Sequence, residues 1–285
     1  MNHQNLVFCF AFRLLIRNFA FKLQQMNPTN TLIIRIGHDA LTFLASDIEG
    51  QPIYKTYEMK GGMSVAANLR EAFKTMPMLG GTWEKVIVMA DVPVMLVPEE
   101  EFDAADADLL FSHAFSGHER DVKIHHQMES LRAVALYAVE RDVQTAVSDH
   151  CKDADYLPVA LPLWEHVGTQ TEGTRQRLYG YFHDGKADVF SFSKQRFRFC
   201  NTFSAVHAHD ALFYLLSTFT QLGMKGDRDE VMVMGSTPHL KWVADNLRAY
   251  VSRVSICDAE TMQISSPVSR DIPLDICAYL QHAQS

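Results

Sequence analysis

One order of elements occurs twice along this chain, and it narrows the possible folds more than any single motif does. From Thr31, "LIIRIG" and "LTFLASD" read as strands flanking the short turn Gly37-His38-Asp39-Ala40. "DIEGQP" is a second turn, and "IYKTYEMK" a third strand alternating apolar and polar. Ser64 then caps a helix running to about Phe73, with Val65, Leu69, Ala72 and Phe73 on one face. "KVIVMA" follows as a continuous apolar run, the mark of a central buried strand. Past the polar, glycine-containing stretch "GTQTEGTRQ" (Gly168 to Gln176), which reads as a linker, the order returns. "RLYGYFH", the turn "DGK", "ADVFSFS" and "RFRFCNTF" make three strands, "VHAHDALFYLLSTFTQLG" is a helix closed by Gly223, and "EVMVMG" is another buried strand. A chain that writes β-β-β-α-β twice is expected to fold as a duplicated α/β protein, each half opening on antiparallel strands and continuing into buried strands that alternate with helices.

The first domain is expected over residues 26–171 and the second over 172–285, with an inserted subdomain at about 95–150. The insert opens on "VPEEEFDAADADLLFSHAF", whose Glu99, Glu100, Glu101, Asp103, Asp106 and Asp108 are expected at the front of a helix, where the dipole favours them. A calcium loop would need alternating acids and a turn glycine, which the stretch lacks. "DVKIHHQMES" and "RAVALYAVE" read as paired strands, "RDVQTAVSDHC" as a helix, and "YLPVALPLWEHV" as a strand entering a short helix. Late in the chain, "STPHLKWVADNLRAY" is expected to start a helix at its Ser/Thr cap, with Pro238 in the first turn. The strand "VSRVSIC" and a terminal helix "LDICAYLQHA" complete it.

A formal charge of -8 disfavours a nucleic-acid partner, which would require a basic surface. The mixed stretch "KQRFR" (Lys194 to Arg198) reads as the two faces of a strand. The five cysteines, Cys9, Cys151, Cys200, Cys257 and Cys277, are scattered without CxxC spacing, which points to free thiols and a cytoplasmic protein. Residues 1–25 read as an extension outside the fold, with translation starting at Met26; "LVFCFAF" lacks the flanks of a signal peptide. The alternative is a basic amphipathic surface anchor over residues 6–23, the one route to membrane contact. His125 and His126, adjacent on a strand, point to opposite faces and cannot share a metal. His207, His209 and Asp210 fit helix-cap or surface roles, and neither a P-loop nor a G-x-S-x-G elbow occurs.

The duplicated order resembles the actin, hexokinase and chaperone-ATPase superfamily. "FRFCNTF" (Phe197 to Phe203), "HDALFYLL" (His209 to Leu216) and "VMVMGS" (Val231 to Ser236) resemble, more narrowly, a bacterial family known as domain of unknown function 3822. The resemblance implies a duplicated actin-like ATPase (ribonuclease H-like) fold, two facing domains with mixed sheets, and, through the superfamily, ATP and Mg²⁺ as cofactors. It would place nucleotide contacts at Gly37, His38 and Asp39 of the first hairpin, Asp184 and Gly185 of the second, and Gly235 and Ser236 after the later strand. The superfamily's first hairpin carries Asp-x-Gly; here the triplet is Arg35-Ile36-Gly37, and by strand register the second acid position falls near Tyr181. A guanidinium cannot accept from a metal-bound water. Phosphoryl transfer depends on positioning and charge neutralisation, so no catalytic residue is assigned. The expectation is a non-catalytic binding or assembly module with protein partners. The alternative is an ATPase or nucleotide switch with altered metal ligands drawn from Asp39, Asp184 or Asp188.

Overall fold

The two continuous apolar runs become interior strands of two sheets, each with a parallel neighbour on either side. The computed structural model of the chain describes residues 31–46, 52–169, 175–193, 196–264 and 272–282. β1 (Thr31–Ile36), β2 (Ala40–Ser46) and β3 (Pro52–Glu58) form an antiparallel meander, and β4 (Lys85–Ala90) and β8 (Ala154–Pro158) join parallel to it, in the order β3-β2-β1-β4-β8. β9 (Arg177–His183), β10 (Lys186–Ser193), β11 (Arg196–Ser204), β12 (Glu230–Gly235) and β13 (Arg253–Cys257) repeat that topology as β11-β10-β9-β12-β13. A third, antiparallel sheet is inserted in sequence between β4 and β8 of the first: β5 (Val94–Pro98), β7 (Ala133–Val139) and β6 (Val122–Met128), in the order β5-β7-β6. The strand β5 has no counterpart in the sequence reading; its ladder is supplied by β7, about 40 residues further on.

Among the described residues the helices are α1 (Val65–Thr75), α2 (Ala107–Ala114), α3 (Arg141–Ser148), α4 (Leu161–Thr169), α5 (Ala208–Gln221), α6 (Leu240–Leu247) and α7 (Leu274–His282). α1 begins where its cap predicts: Ser64 Oγ accepts from the Ala67 N–H at 3.2 Å, and Leu69, Ala72 and Phe73 are buried. α6 begins later than expected. Gly235 sits at φ 94, and the Ser236 N–H is committed to Phe182 O at 2.7 Å, so residues 236–239 form a turn before the helix. The acidic run is divided as well. Glu99–Glu101 and Ala104–Asp106 are separate 3₁₀ turns, split by Phe102, which packs on the small sheet's core and on His125; of the six acids only Asp106 and Asp108 stand at the start of α2. His126, on the other face of β6, reaches Glu165 at 3.2 Å.

The glycine-containing stretch at 168–176 is not wholly a linker: Gly168 and Thr169 finish α4. Its residues 170–174 lie outside the described residues, as do the N-terminal extension with its anchor alternative and Cys9, the turn at 47–51, and Lys194 and Gln195. Cys151, Cys257 and Cys277 are buried and Cys200 is half-buried. Among the described residues no helix is long and apolar enough to cross a membrane.

The second sheet is covered on both faces. Leu178, Phe182, Val189 and Val233 join a cluster with Leu215 and Phe219 of α5 and Val243 and Leu247 of α6. The alternate residues Tyr179, Tyr181, Phe190 and Met234 turn the other way, into a cluster shared with Ile33 and Ile87 of the first sheet, Trp164 of α4 and Ile276 of α7. One apolar core therefore runs from the first sheet through α4 and α7 to the second. Trp164, fully buried, sets its ring edge-on to Phe190 at 6.2 Å. Side chains of this size contribute roughly 1.5–3 kcal/mol each on burial, and a core continuous across two layers resists their separation.

Candidate functional site

Both antiparallel hairpins turn at the same edge of the interface between the sheets, and strand register equates their residues. Arg35 lies beside Met89 of β4 and Thr42 of β2; Tyr181 lies beside Met234 of β12 and Asp188 of β10. Arg35 and Tyr181 are thus the same position in the two halves, as the sequence register implied. Continuing outward, Gly37 corresponds to His183, His38 to Asp184 and Asp39 to Gly185.

Those matched positions converge on one carboxylate. Asp275, in the first turn of α7 and fully buried, accepts at Oδ2 from Arg35 Nε at 2.8 Å and from the Tyr181 hydroxyl at 2.8 Å, while its Oδ1 accepts from the Ile276 N–H at 2.6 Å. The Arg35 guanidinium also reaches across to the second hairpin, where Nη2 donates to Asp184 Oδ2 at 2.8 Å. Burial works against the Arg35 charge, but Asp275, Tyr181 and Asp184 outweigh it and hold its pKa well above the ordinary value. Burial likewise pushes the Tyr181 phenol well up, with Asp275 adding to it, so Tyr181 remains a donor.

His183 organises the second hairpin. Its Nδ1 lies 3.0 Å from Asp184 Oδ2 and its Nε2 2.8 Å from Asp188 Oδ2, so both ring nitrogens donate to carboxylates. Burial opposes a charged ring, yet the hydrogen bonds to Asp184 and Asp188, with the charges of Asp188 and Asp91, push its pKa up to about 10. Asp184 is held well below the usual carboxylate range: burial would raise it, but the bond to His183 and the Arg35 charge prevail. Thr202 Oγ1 donates to Asp188 Oδ1 at 2.6 Å, and Lys186 Nζ pairs with Asp91, just past β4, at 2.7 Å. Three cations, Arg35, His183 and Lys186, interleave with four carboxylates, Asp91, Asp184, Asp188 and Asp275.

Of the residues marked out from the sequence, Gly37, His38 and Asp184 meet. The His38 N–H donates to Asp184 Oδ1 at 3.2 Å, and a Cβ on Gly37 would collide with that oxygen. Gly37 is therefore needed for close approach; its φ is not in the left-handed region. Asp39 turns away to solvent, paired with His38 Nδ1 at 2.7 Å, its side chain 86% exposed. Gly185 completes the Asp-Gly turn, with φ 48 at Asp184 and 72 at Gly185. Gly235 and Ser236 sit beside Phe182 at the base of the same hairpin, and a Cβ on Gly235 would collide with Phe182 O. Sequence reasoning missed Asp275, His183, Asp91 and Lys186. The signal for Asp275 was present: it is the one charged residue in the otherwise apolar run "LDICAYL".

Ligand atoms of Asp91, His183 and Asp184 lie within 4.8 Å of one another. The set does not suit a divalent cation. Both His183 nitrogens are engaged with carboxylates, and Lys186 and Arg35 already hold Asp91 and Asp184. A metal ion would face three fixed positive charges.

The topology and the paired hairpins define a protein of the actin-like ATPase fold. A protein of that fold and unknown function from Bacteroides thetaiotaomicron VPI-5482 superposes with a TM-score of 0.76 at 20% identity, covering 89% of this chain and 96% of that one. A chain of the PilM–PilN type IV pilus biogenesis complex superposes with a TM-score of 0.54 at 11% identity, covering 89% and 97% respectively. No curated protein matches in sequence. The family described as protein of unknown function (DUF3822) matches residues 20–254, and the chain belongs to it.

Proposed function

We propose that this chain is a non-catalytic binding or assembly module, organised as domains 26–171 and 172–285, whose nucleotide site has been converted into a clasp. The observation that carries the reading is the Arg35 guanidinium, bonded at once to Asp184 and Asp275. Where Mg²⁺ chemistry requires an acceptor, the chain carries a donor, and that donor is taken up by the chain's own carboxylates. Gly37 and Gly235 are accounted for by close packing, so neither calls for a ligand. The matching chain of the PilM–PilN complex supports the idea that a protein of this fold can serve an assembly. The exposed acidic stretch from Glu99 to Asp108 offers a protein-docking surface of the kind a module needs.

The alternative, an ATPase with altered ligands, would draw on Asp39, Asp184 or Asp188. Asp39 faces solvent, and the other two are engaged by His183, Arg35 and Thr202. Purified protein is expected to show neither phosphate release from Mg-ATP nor a rise in melting temperature at millimolar Mg-ATP, since a ligand bound only by the native state must stabilise it. Phosphate release that Asp184→Asn or Asp188→Asn abolishes would overturn the proposal.

A further inference from the structure

We infer that the seam between α5 and α6, on the face of the second sheet turned away from the first, is the surface through which two copies of this chain pair, with α6 lying antiparallel on α6 of the other copy. Among the described residues, the large apolar side chains that stand exposed gather in the second half: Val206, Phe213, Trp242, Tyr250 and Ile256, against Met63 and Leu109 elsewhere. On α5 and α6 they belong to a run of rings. Trp242 meets His209 with ring centroids 4.8 Å apart. Phe213, one turn further along α5 and 64% exposed, sets its ring edge-on to Tyr214 at 5.4 Å, and Tyr214 stacks on Phe203 of β11 at 4.3 Å. Isolated exposed apolar residues are ordinary on a protein surface, whereas a contiguous patch marks an interaction site, with Trp and Tyr its commonest anchors. The stretch "HDALFYLL" supplies His209, Phe213 and Tyr214 of this patch and takes no part in the clasp.

The charges around the rings select the occupant. The whole chain carries a formal charge of -8, but here Lys241 and Arg248 balance Asp210 and Asp245, all four exposed. A strongly acidic or strongly basic partner meets no matching field at such a rim; a second copy does. Lys241, Trp242 and Asp245 lie on the exposed side of α6, with Lys241 and Asp245 one helical turn apart. Lys241 has no ion-pair partner among the described residues, and Asp245 accepts from Arg248 at Oδ1, which leaves Oδ2. A two-fold axis across an antiparallel pair of α6 helices sets Lys241 of each copy against Asp245 of the other, with the two Trp242 rings between them. A parallel pair would set Lys241 against Lys241 and Asp245 against Asp245, so the charges fix the direction of pairing as well.

The test is sedimentation velocity of the full chain across the micromolar range, with circular dichroism to confirm that each variant is folded. Wild type is expected to form a dimer whose fraction rises with concentration. Trp242→Ala and, separately, Phe213→Ser are each expected to weaken pairing at least about tenfold, the loss that truncating an aromatic anchor produces. Lys241→Asp and Asp245→Lys each set like charges together and are expected to weaken it by about as much, while the two exchanges combined restore it. A wild type that stays monomeric, a dimer that neither aromatic variant weakens, a combined exchange that pairs no more tightly than the single ones, or growth beyond the dimer would each overturn the inference. The pairing gives the module proposed above one partner and does not use the clasp. Mg-ATP turnover would therefore overturn the earlier reading and leave this one standing, and a monomeric wild type would do the reverse.

Discussion

The first hairpin turns through His38 and Asp39 with ordinary φ values and presents a backbone N–H inward; the second turns through Asp184 and Gly185, both at positive φ, and presents a carboxylate. The strand frames beneath them are the same, down to the matched bonds from the Asp91 N–H to Ile36 O and from the Ser236 N–H to Phe182 O. Their equivalent residues Arg35 and Tyr181 both donate to Asp275. The comparison teaches that the hydrogen-bonded backbone is the same in the two halves while the side chains are complementary across the interface, Arg35 of one half bonding Asp184 and Asp275 of the other. A symmetric pair of acids at these positions would repel; a donor pair around one buried acid attracts.

The largest effect that would break the comparison is at the shared acceptor. Asp275→Ala should strand a buried guanidinium and a buried phenol together, and loss of one partner of a buried pair costs about 3–5 kcal/mol. Urea unfolding followed by tryptophan fluorescence would measure it; a loss below about 1 kcal/mol would show that the two halves do not depend on Asp275. A smaller effect should separate the hairpins by pH. The His183 pKa rises from 6.5 to about 10 in the folded protein, so its stabilisation is complete below 6.5 and is lost as pH climbs through 10. Wild type should therefore lose on the order of a few kcal/mol between pH 7 and 10 through this group, facing Asp184, Asp188 and Asp91. His183→Gln should flatten that part of the slope; an unchanged slope would remove the imidazolium from the clasp. Smallest of all, Asp39→Ala in the first turn should leave the urea midpoint unchanged, because its pair with His38 is exposed and screened. A measurable shift would mean that the first turn contributes more than its N–H.

Much of the architecture was legible before any coordinates. Alternation in "IYKTYEMK", the apolar runs "KVIVMA" and "EVMVMG", the Ser64 cap and the Asp-Gly turn are local signals, and each element formed where its signal lay. The misses share one cause, contacts between residues distant in the chain. β5 is a strand because β7 supplies its ladder, and α6 starts late because the Ser236 N–H is taken by Phe182. At the site, the sequence displayed Arg35 as an acid missing from a motif. It could not display that Asp275, 240 residues away, would be the partner.

The amino-acid order alone determined the duplicated α/β topology and the reversal of charge at the first hairpin, since periodicity, turn chemistry and residue type act over a few residues. Only the tertiary structure decided what the reversed charge does. Coulombic and hydrogen-bonding partners are chosen by proximity in space, and folding brought Asp184 and Asp275 each to 2.8 Å from the Arg35 guanidinium. The guanidinium thereby became the centre of a clasp between two halves of the chain.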